Sequence, residues 1–174
     1  MAEIRKNANI LKGDQLWLFV SKTSGDSGTP IPVAFATNCS LNRSLSTNSI
    51  SSKDHGSSSY VTPGEGSWTA STEALMSINV NTGAIGYENC MSLFDENEIV
   101  MVQFGYVAGG STPAKYPSGQ NIVDVDDATD WVMSDPYWTG KGYITSLNAT
   151  GNHGDAATYS LEITGIGALT KHTA

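Results

Sequence analysis

Cysteine, histidine and long apolar runs are scarce in this chain of 174 residues, and positive charge is nearly missing from its middle. Cys39 and Cys90 have no partner at metal-ligand spacing, and His55, His153 and His172 are scattered, so no zinc site is expected. With no secretory signal in the opening Met1 to Lys6, two free thiols in a reducing cytosol are the expectation, and the Asn-x-Ser/Thr triplets at Asn38, Asn42 and Asn148 read as chance matches. No apolar stretch approaches the length of a membrane span. There is no Gly-x-Ser-x-Gly elbow and no glycine loop of the kind that cradles phosphate. Asp124, Asp126, Asp127 and Asp130 imitate part of a calcium loop, but the loop's glycine and distal glutamate are missing. The expectation is therefore a protein that is not an enzyme and uses no cofactor or metal.

Charge is unevenly spread. Residues 1–53 hold six basic and three acidic side chains, residues 54–140 hold twelve acidic against Lys115 alone, and residues 141–174 balance at two and two. The overall charge is −8. An acidic middle is poorly suited to gripping nucleic acid, because affinity for phosphates rests on Lys and Arg displacing counterions. It is suited to repelling a polyanion, or to remaining a solvated surface.

What is plentiful is Gly, Ser, Thr and Asn between short apolar stretches, which favours strands and turns. The clearest pattern is at the C-terminal end, where Tyr143, Thr145 and Leu147 alternate with Ile144, Ser146 and Asn148. Turn residues follow, and then Tyr159, Leu161 and Ile163 alternate with Ser160, Glu162 and Thr164. This predicts a hairpin with one apolar face, which needs further strands or a helix to cover it.

Taken in order, residues 1–13 form a polar, basic arm, and Asp14 to Ser21 form a strand. In that strand Trp17 and Phe19 face one way and Leu16, Leu18 and Val20 the other, so both faces are expected to be buried. A long half-buried strand from Pro32 carries Val33, Phe35, Thr37, Cys39, Leu41 and Leu45 on one side, and Arg43 there suggests that it projects beyond the body. Residues 47–66, rich in Ser with Gly56, Pro63, Gly64 and Gly66, predict a long functional loop. Trp68 to Val80 is a strand, Tyr87 to Asn97 a helix lying on the sheet, Glu98 to Val107 a covered central strand, and Ala108 to Thr139 an irregular region with one helical turn before Pro136. Trp17 and Trp68 are expected in the core, whereas Trp131 and Trp138 leave open a sugar-stacking platform on a carbohydrate-binding module.

Five stretches in order give the chain a family resemblance. They are Lys12 to Val20; Ala34 to Leu41; Ser51 to Asp54 with Pro63-Gly64 and Ser67 to Ser71; Tyr87 to Phe104; and Gly142 to Leu147 with Gly165 to Thr170. Together they resemble the major tail tube proteins of bacteriophages with long non-contractile tails, over nearly the whole chain.

The resemblance implies a single mainly β domain, an antiparallel sandwich or barrel-like body flanked by one helix. It implies assembly into hexameric rings that stack into the tail tube of a virion and deliver DNA, with tail tip, tape measure and tail terminator proteins as partners. Building would take place in the host cytoplasm. It also implies that the arm (residues 1–13) and the loop (residues 47–66) join neighbours, which makes Arg5, Lys6, Lys12, Arg43, Lys53, Asp54 and His55 the assembly candidates. For the lumen, the candidates are Glu73 and Glu162, each on the polar side of its strand. The inner tubes of contractile injection systems share the architecture and stay open as an alternative.

Overall fold

The computed structural model describes residue 13 and residues 16–21, 28–56, 58–77, 80, 83–107 and 133–173. Seven strands occur in it: β1 (Leu16–Ser21), β2 (Pro30–Pro32), β3 (Ala36–Ile50), β4 (Tyr60–Leu75), β5 (Ile99–Tyr106), β6 (Ser134–Thr150) and β7 (Thr158–His172). One helix, α1 (Tyr87–Asp95), lies between β4 and β5, and a short 3-10 turn (Lys53–His55) lies between β3 and β4. All seven strands belong to one antiparallel sheet in the order β2-β1-β5-β6-β7-β4-β3.

The outermost strands of that order, β2 and β3, are joined directly from Pro32 to Ala36. A flat sheet of this width would put its edges about 29 Å apart, whereas four extended residues span at most about 14 Å. The sheet must therefore curl until its edges approach. Accordingly, the Cys39 thiol of β3 donates to the Leu16 carbonyl of β1 at 3.1 Å. The barrel-like body is thus one curled sheet left unclosed, because no ladder joins β2 to β3.

The interior of the curl holds Leu18, Val20, Ala70, Val100, Val102, Leu161 and Ile163, and α1 adds Cys90 and Leu93. Trp17 and Phe19, on the other side of β1, pack with Ala34, Ala84, Val107 and Met133 in a second cluster. β1 is thereby covered on both faces, as its unbroken apolar run required.

Local hydrogen bonds bound α1 at each end. At its start, Asn89 Oδ1 accepts from the Gly86 N–H at 3.3 Å. At its end, Asn97 turns left-handed (φ 53°), with Asn97 N–H donating to the Phe94 carbonyl and Glu98 N–H to the Leu93 carbonyl. This stops the helix two residues short of the expected Asn97.

Three further expectations need correction. The long strand from Pro32 breaks at Ala34 and Phe35, where Phe35 adopts φ 55° and separates β2 from β3. Residues 47–66 are not an irregular loop. β3 and β4 pair as far as Ile50 and Tyr60, a register shift between Leu45 and Thr47 precedes the Thr47 and Pro63 pair, and only residues 51–59 connect them. Ladder hydrogen bonds come from the backbone, so the Ser, Gly and Pro content that reads as a loop does not prevent pairing. β6 likewise begins at Ser134 inside the stretch expected to be irregular, and Pro136 is tolerated where the β5 register shifts between Phe104 and Tyr106. The rest of that stretch, residues 108–132, lies outside the described residues; the strand expected through Val80 ends at Leu75, and residues 78 and 79 beyond it also lie outside the described residues.

Candidate inner face and assembly surfaces

The outward face of β3, β4, β7 and β6 is a block of small polar side chains. Register places Asn38 opposite Glu73, Ser40 opposite Ser71, Ser71 opposite Glu162, and Glu162 opposite Ser146. Hydroxyls bond across the strands, Ser40 with Ser71 at 2.7 Å, Ser44 with Ser67 at 2.7 Å and Thr145 with Thr164 at 2.9 Å. The two lumen candidates come together here as diagonal neighbours on adjacent strands, since Glu73 pairs with Ser160 and Glu162 with Ser71. Asn38 Nδ2 donates to Glu73 Oε2 at 3.0 Å, while Glu162 is exposed. Most of the acidic excess lies elsewhere. Glu88, Asp95, Glu96 and Glu98 surround α1, and Asp124 to Asp130 lie outside the described residues.

The ladder between β4 and β7 stops at Thr69 and Thr164, and from there the two strands fork. Trp68 fills the crotch. Its indole lies on Gly165 and close to Gly140, its Nε1–H donates to the Gly167 carbonyl at 3.0 Å, and the ring is almost fully buried. Sequence reading gave Trp68 a place in the core but missed the glycine floor that admits it. The available signal was Gly140 and Gly142 at alternate positions of one strand, with Gly165 on the next. A cleft of about 740 Å³ opens in the fork, with Arg43, Glu65, Leu45 and Leu169 around Trp68.

Beyond the fork the β3–β4 hairpin projects free of the body, and Leu45, Ile50, Tyr60 and Val61 are each more than half exposed. Lys53, Asp54 and His55 form the turn near its tip. β4 runs from Thr69 back to Tyr60 in the direction in which β7 runs from Thr164 to His172. Leu16 pairs with Tyr106 and Tyr106 with Ser134 at that same end. The hairpin tip and the entry of the chain into β1 therefore leave from one end, while the β6–β7 turn and Ile99 occupy the other.

Of the assembly candidates, Arg43 lines the fork and Lys53, Asp54 and His55 mark the hairpin tip, whereas Arg5, Lys6 and Lys12 lie outside the described residues. Both cysteines are free; burial pushes the Cys39 thiol up to about 11 and the Cys90 thiol up to about 12. The Tyr159 hydroxyl is buried with no partner among the described residues, and burial raises it as well. Trp138 is half-buried against the main core, so with Trp17 and Trp68 also packed inside, no indole platform for sugar forms among the described residues. No three of the described His, Cys, Asp or Glu side chains gather as a metal site, and no described helix is long and apolar enough to cross a membrane.

A family model described as phage tail tube protein matches residues 11–171. No curated protein matches in sequence. Among solved structures, the chain is similar to one from the tail of an empty gene transfer agent particle with C6 symmetry. That match has TM-score 0.64 and 18% identity, and covers 94% of this chain and 100% of that one. It is also similar to the tail tube chain of SPP1, with TM-score 0.60 and 11% identity over 95% of this chain and 80% of that one. A chain from the baseplate of the anti-feeding prophage matches with TM-score 0.55 and 10% identity, over 91% and 93%.

Proposed function

Since this chain belongs to the phage tail tube protein family, we propose that it is a structural virion protein that self-assembles into stacked hexameric rings, forming the tail tube through which DNA reaches the host. The family match over residues 11–171 carries the reading. The C6 symmetry of the gene transfer agent tail supports six subunits per ring. The polar block fits the lumen wall. A ring would repeat Glu73 and Glu162 in every subunit among hydroxyls and amides, so a phosphate backbone meets weak repulsion there. The projecting hairpin, with Lys53, Asp54 and His55 near its tip, fits a contact to the next ring, and Arg43 a contact at its base. Such a contact is head-to-tail and builds an open stack.

In this reading the protein works without catalysis, is built in the host cytoplasm, resides in the virion tail, and meets tail tip, tape measure and tail terminator proteins at the ends and along the bore. The likeness to the anti-feeding prophage chain supports the inner tube of a contractile injection system as the second reading, and a sheath co-purifying with the tube would decide for it. Sizing and negative-stain imaging at rising concentration, with and without purified tail tips, are expected to show rings or tubes. A protein that stays monomeric throughout, or one that holds duplex DNA tightly at physiological salt, overturns the proposal.

A further inference from the structure

Helix α1 turns an apolar side outward. Met91 is 46% exposed and Phe94, one turn on, 38%, and Tyr143 of β6, 41% exposed, lines the same groove as Phe94. Between helix and strand runs a groove of about 460 Å³, lined by Leu93, Phe94, Asn97, Glu98, Tyr143 and Thr145. Its surroundings are acidic. Glu88, Asp95 and Glu96 are exposed and Glu98 is half-buried, and residues 83–107 contain no Lys, Arg or His. A surface of this composition fits an apolar segment that carries positive charge.

We propose that this groove docks the N-terminal segment, residues 1–12, of a second copy of the chain. The inference rests on the self-assembly reading above and names the acceptor for one of its contacts. Residues 1–12 hold Arg5, Lys6 and Lys12 against Glu3, together with Ile4, Ile10 and Leu11, so their charge and apolar content complement the groove. The exposed hairpin tip matches less well, because Lys53 and Asp54 cancel there. The entry of the chain into β1 and the groove lie at opposite ends of the sheet. The segment precedes Leu16, which pairs with Tyr106 at one end of β5, whereas Tyr143 pairs with Ile99 at the other, about 23 Å away. Twelve extended residues span about 40 Å. A segment leaving one end of a copy therefore has the reach to meet the groove on the far end of the next.

Cysteine pairing tests this on the full-length chain with Cys39→Ser, the remaining native thiol, Cys90, being buried. One preparation carries Ala8→Cys, another Met91→Cys, and the two are mixed, assembled and oxidised. The expected product is a disulfide-linked dimer that requires one copy of each. Normal tubes without that dimer overturn the docking and leave the tube reading intact, whereas native protein that forms no tubes overturns the tube reading itself. A chain carrying both cysteines that cross-links only within itself overturns the choice of a second copy. Cross-linking of Met91→Cys to Val61→Cys in place of Ala8→Cys assigns the groove to the hairpin and also overturns the proposal. As a second measurement, Asp95→Lys with Glu96→Lys is expected to raise the concentration needed for assembly about tenfold, and adding Arg5→Glu with Lys6→Glu to restore it. Failure of the second pair to restore assembly counts against the charge match.

Discussion

Replacing Gly165 by alanine tests whether the indole of Trp68 holds the fork between β4 and β7. An added Cβ would overlap Cδ2, Cε2 and Nε1 of that ring, and the overlapping atoms belong to a rigid bicycle rather than to the end of a flexible side chain. The indole must shift, opening a void on one side and losing the 3.0 Å bond to the Gly167 carbonyl. Overfilling a packed core costs about 1–3 kcal/mol, and the lost hydrogen bond adds about 1 kcal/mol. The expected destabilisation is about 2–4 kcal/mol, or a melting temperature lower by about 5–15 °C for a chain of this size. Urea unfolding of unassembled protein, followed by far-UV circular dichroism, measures it. The same substitution in a Trp68→Leu background is expected to be neutral or slightly stabilising, because alanine restricts the unfolded chain more than glycine does. Equal costs in the two backgrounds, or a cost below about 0.5 kcal/mol in the native one, refute the reasoning.

Tyr159→Phe removes a buried hydroxyl that has no described partner, so stability is expected to hold or rise by about 1 kcal/mol in urea titration. Above pH 9 the unfolded chain sheds the Cys90 proton that the fold retains up to about 12, so stability is full below pH 9 and falls as pH rises toward 12. At pH 10 the Cys90 contribution to that loss is on the order of 1 kcal/mol, which melting of native protein against Cys90→Ala between pH 8 and 10 would show as a shallower decline in the variant. Deleting Ser51 to Ser59 and rejoining the strands with Asn-Gly is expected to keep the circular dichroism spectrum and block tube growth; normal tubes from that variant take the hairpin tip out of the assembly. Glu73→Lys or Glu162→Lys is expected to leave tubes intact and slow genome ejection, and unchanged ejection kinetics with both would remove this face from the lumen.

What the sequence made legible was whatever depends on side-chain alternation. β1 announced two covered faces through Trp17, Phe19, Leu18 and Val20, and β7 announced one apolar face through Tyr159, Leu161 and Ile163, whereas in β6 it is Ile144 that is buried and Tyr143 that is exposed. α1 was visible because Tyr87, Cys90, Met91 and Phe94 recur at helical spacing, although the helix turns Met91 and Phe94 outward and buries Leu93 with Cys90. The outer half of the β3–β4 hairpin was not visible, because past Arg43 no core dictates alternation and its order comes from backbone ladders and bonds such as Thr62 Oγ1–H to the Asn48 carbonyl. Glu73 and Glu162 could each be assigned to a polar strand face, but their adjacency follows from register between strands nearly ninety residues apart, which no local pattern encodes. The same holds for Gly165 beneath Trp68.

That the hairpin tip and the entry of the chain into β1 lie at one end has a consequence for growth. On the head-to-tail reading proposed above, a stack of such subunits presents hairpin tips at one extremity and β6–β7 turns at the other, however short it is. On that reading two half-built stacks meet turn to turn without a complementary hairpin, so head-to-tail joining keeps the two extremities different. A plug moulded to the hairpin tips fits nowhere else, and neither does a foundation moulded to the rim of turns. The compass of the finished tail is thus already present in a single folded chain, before any other component joins it.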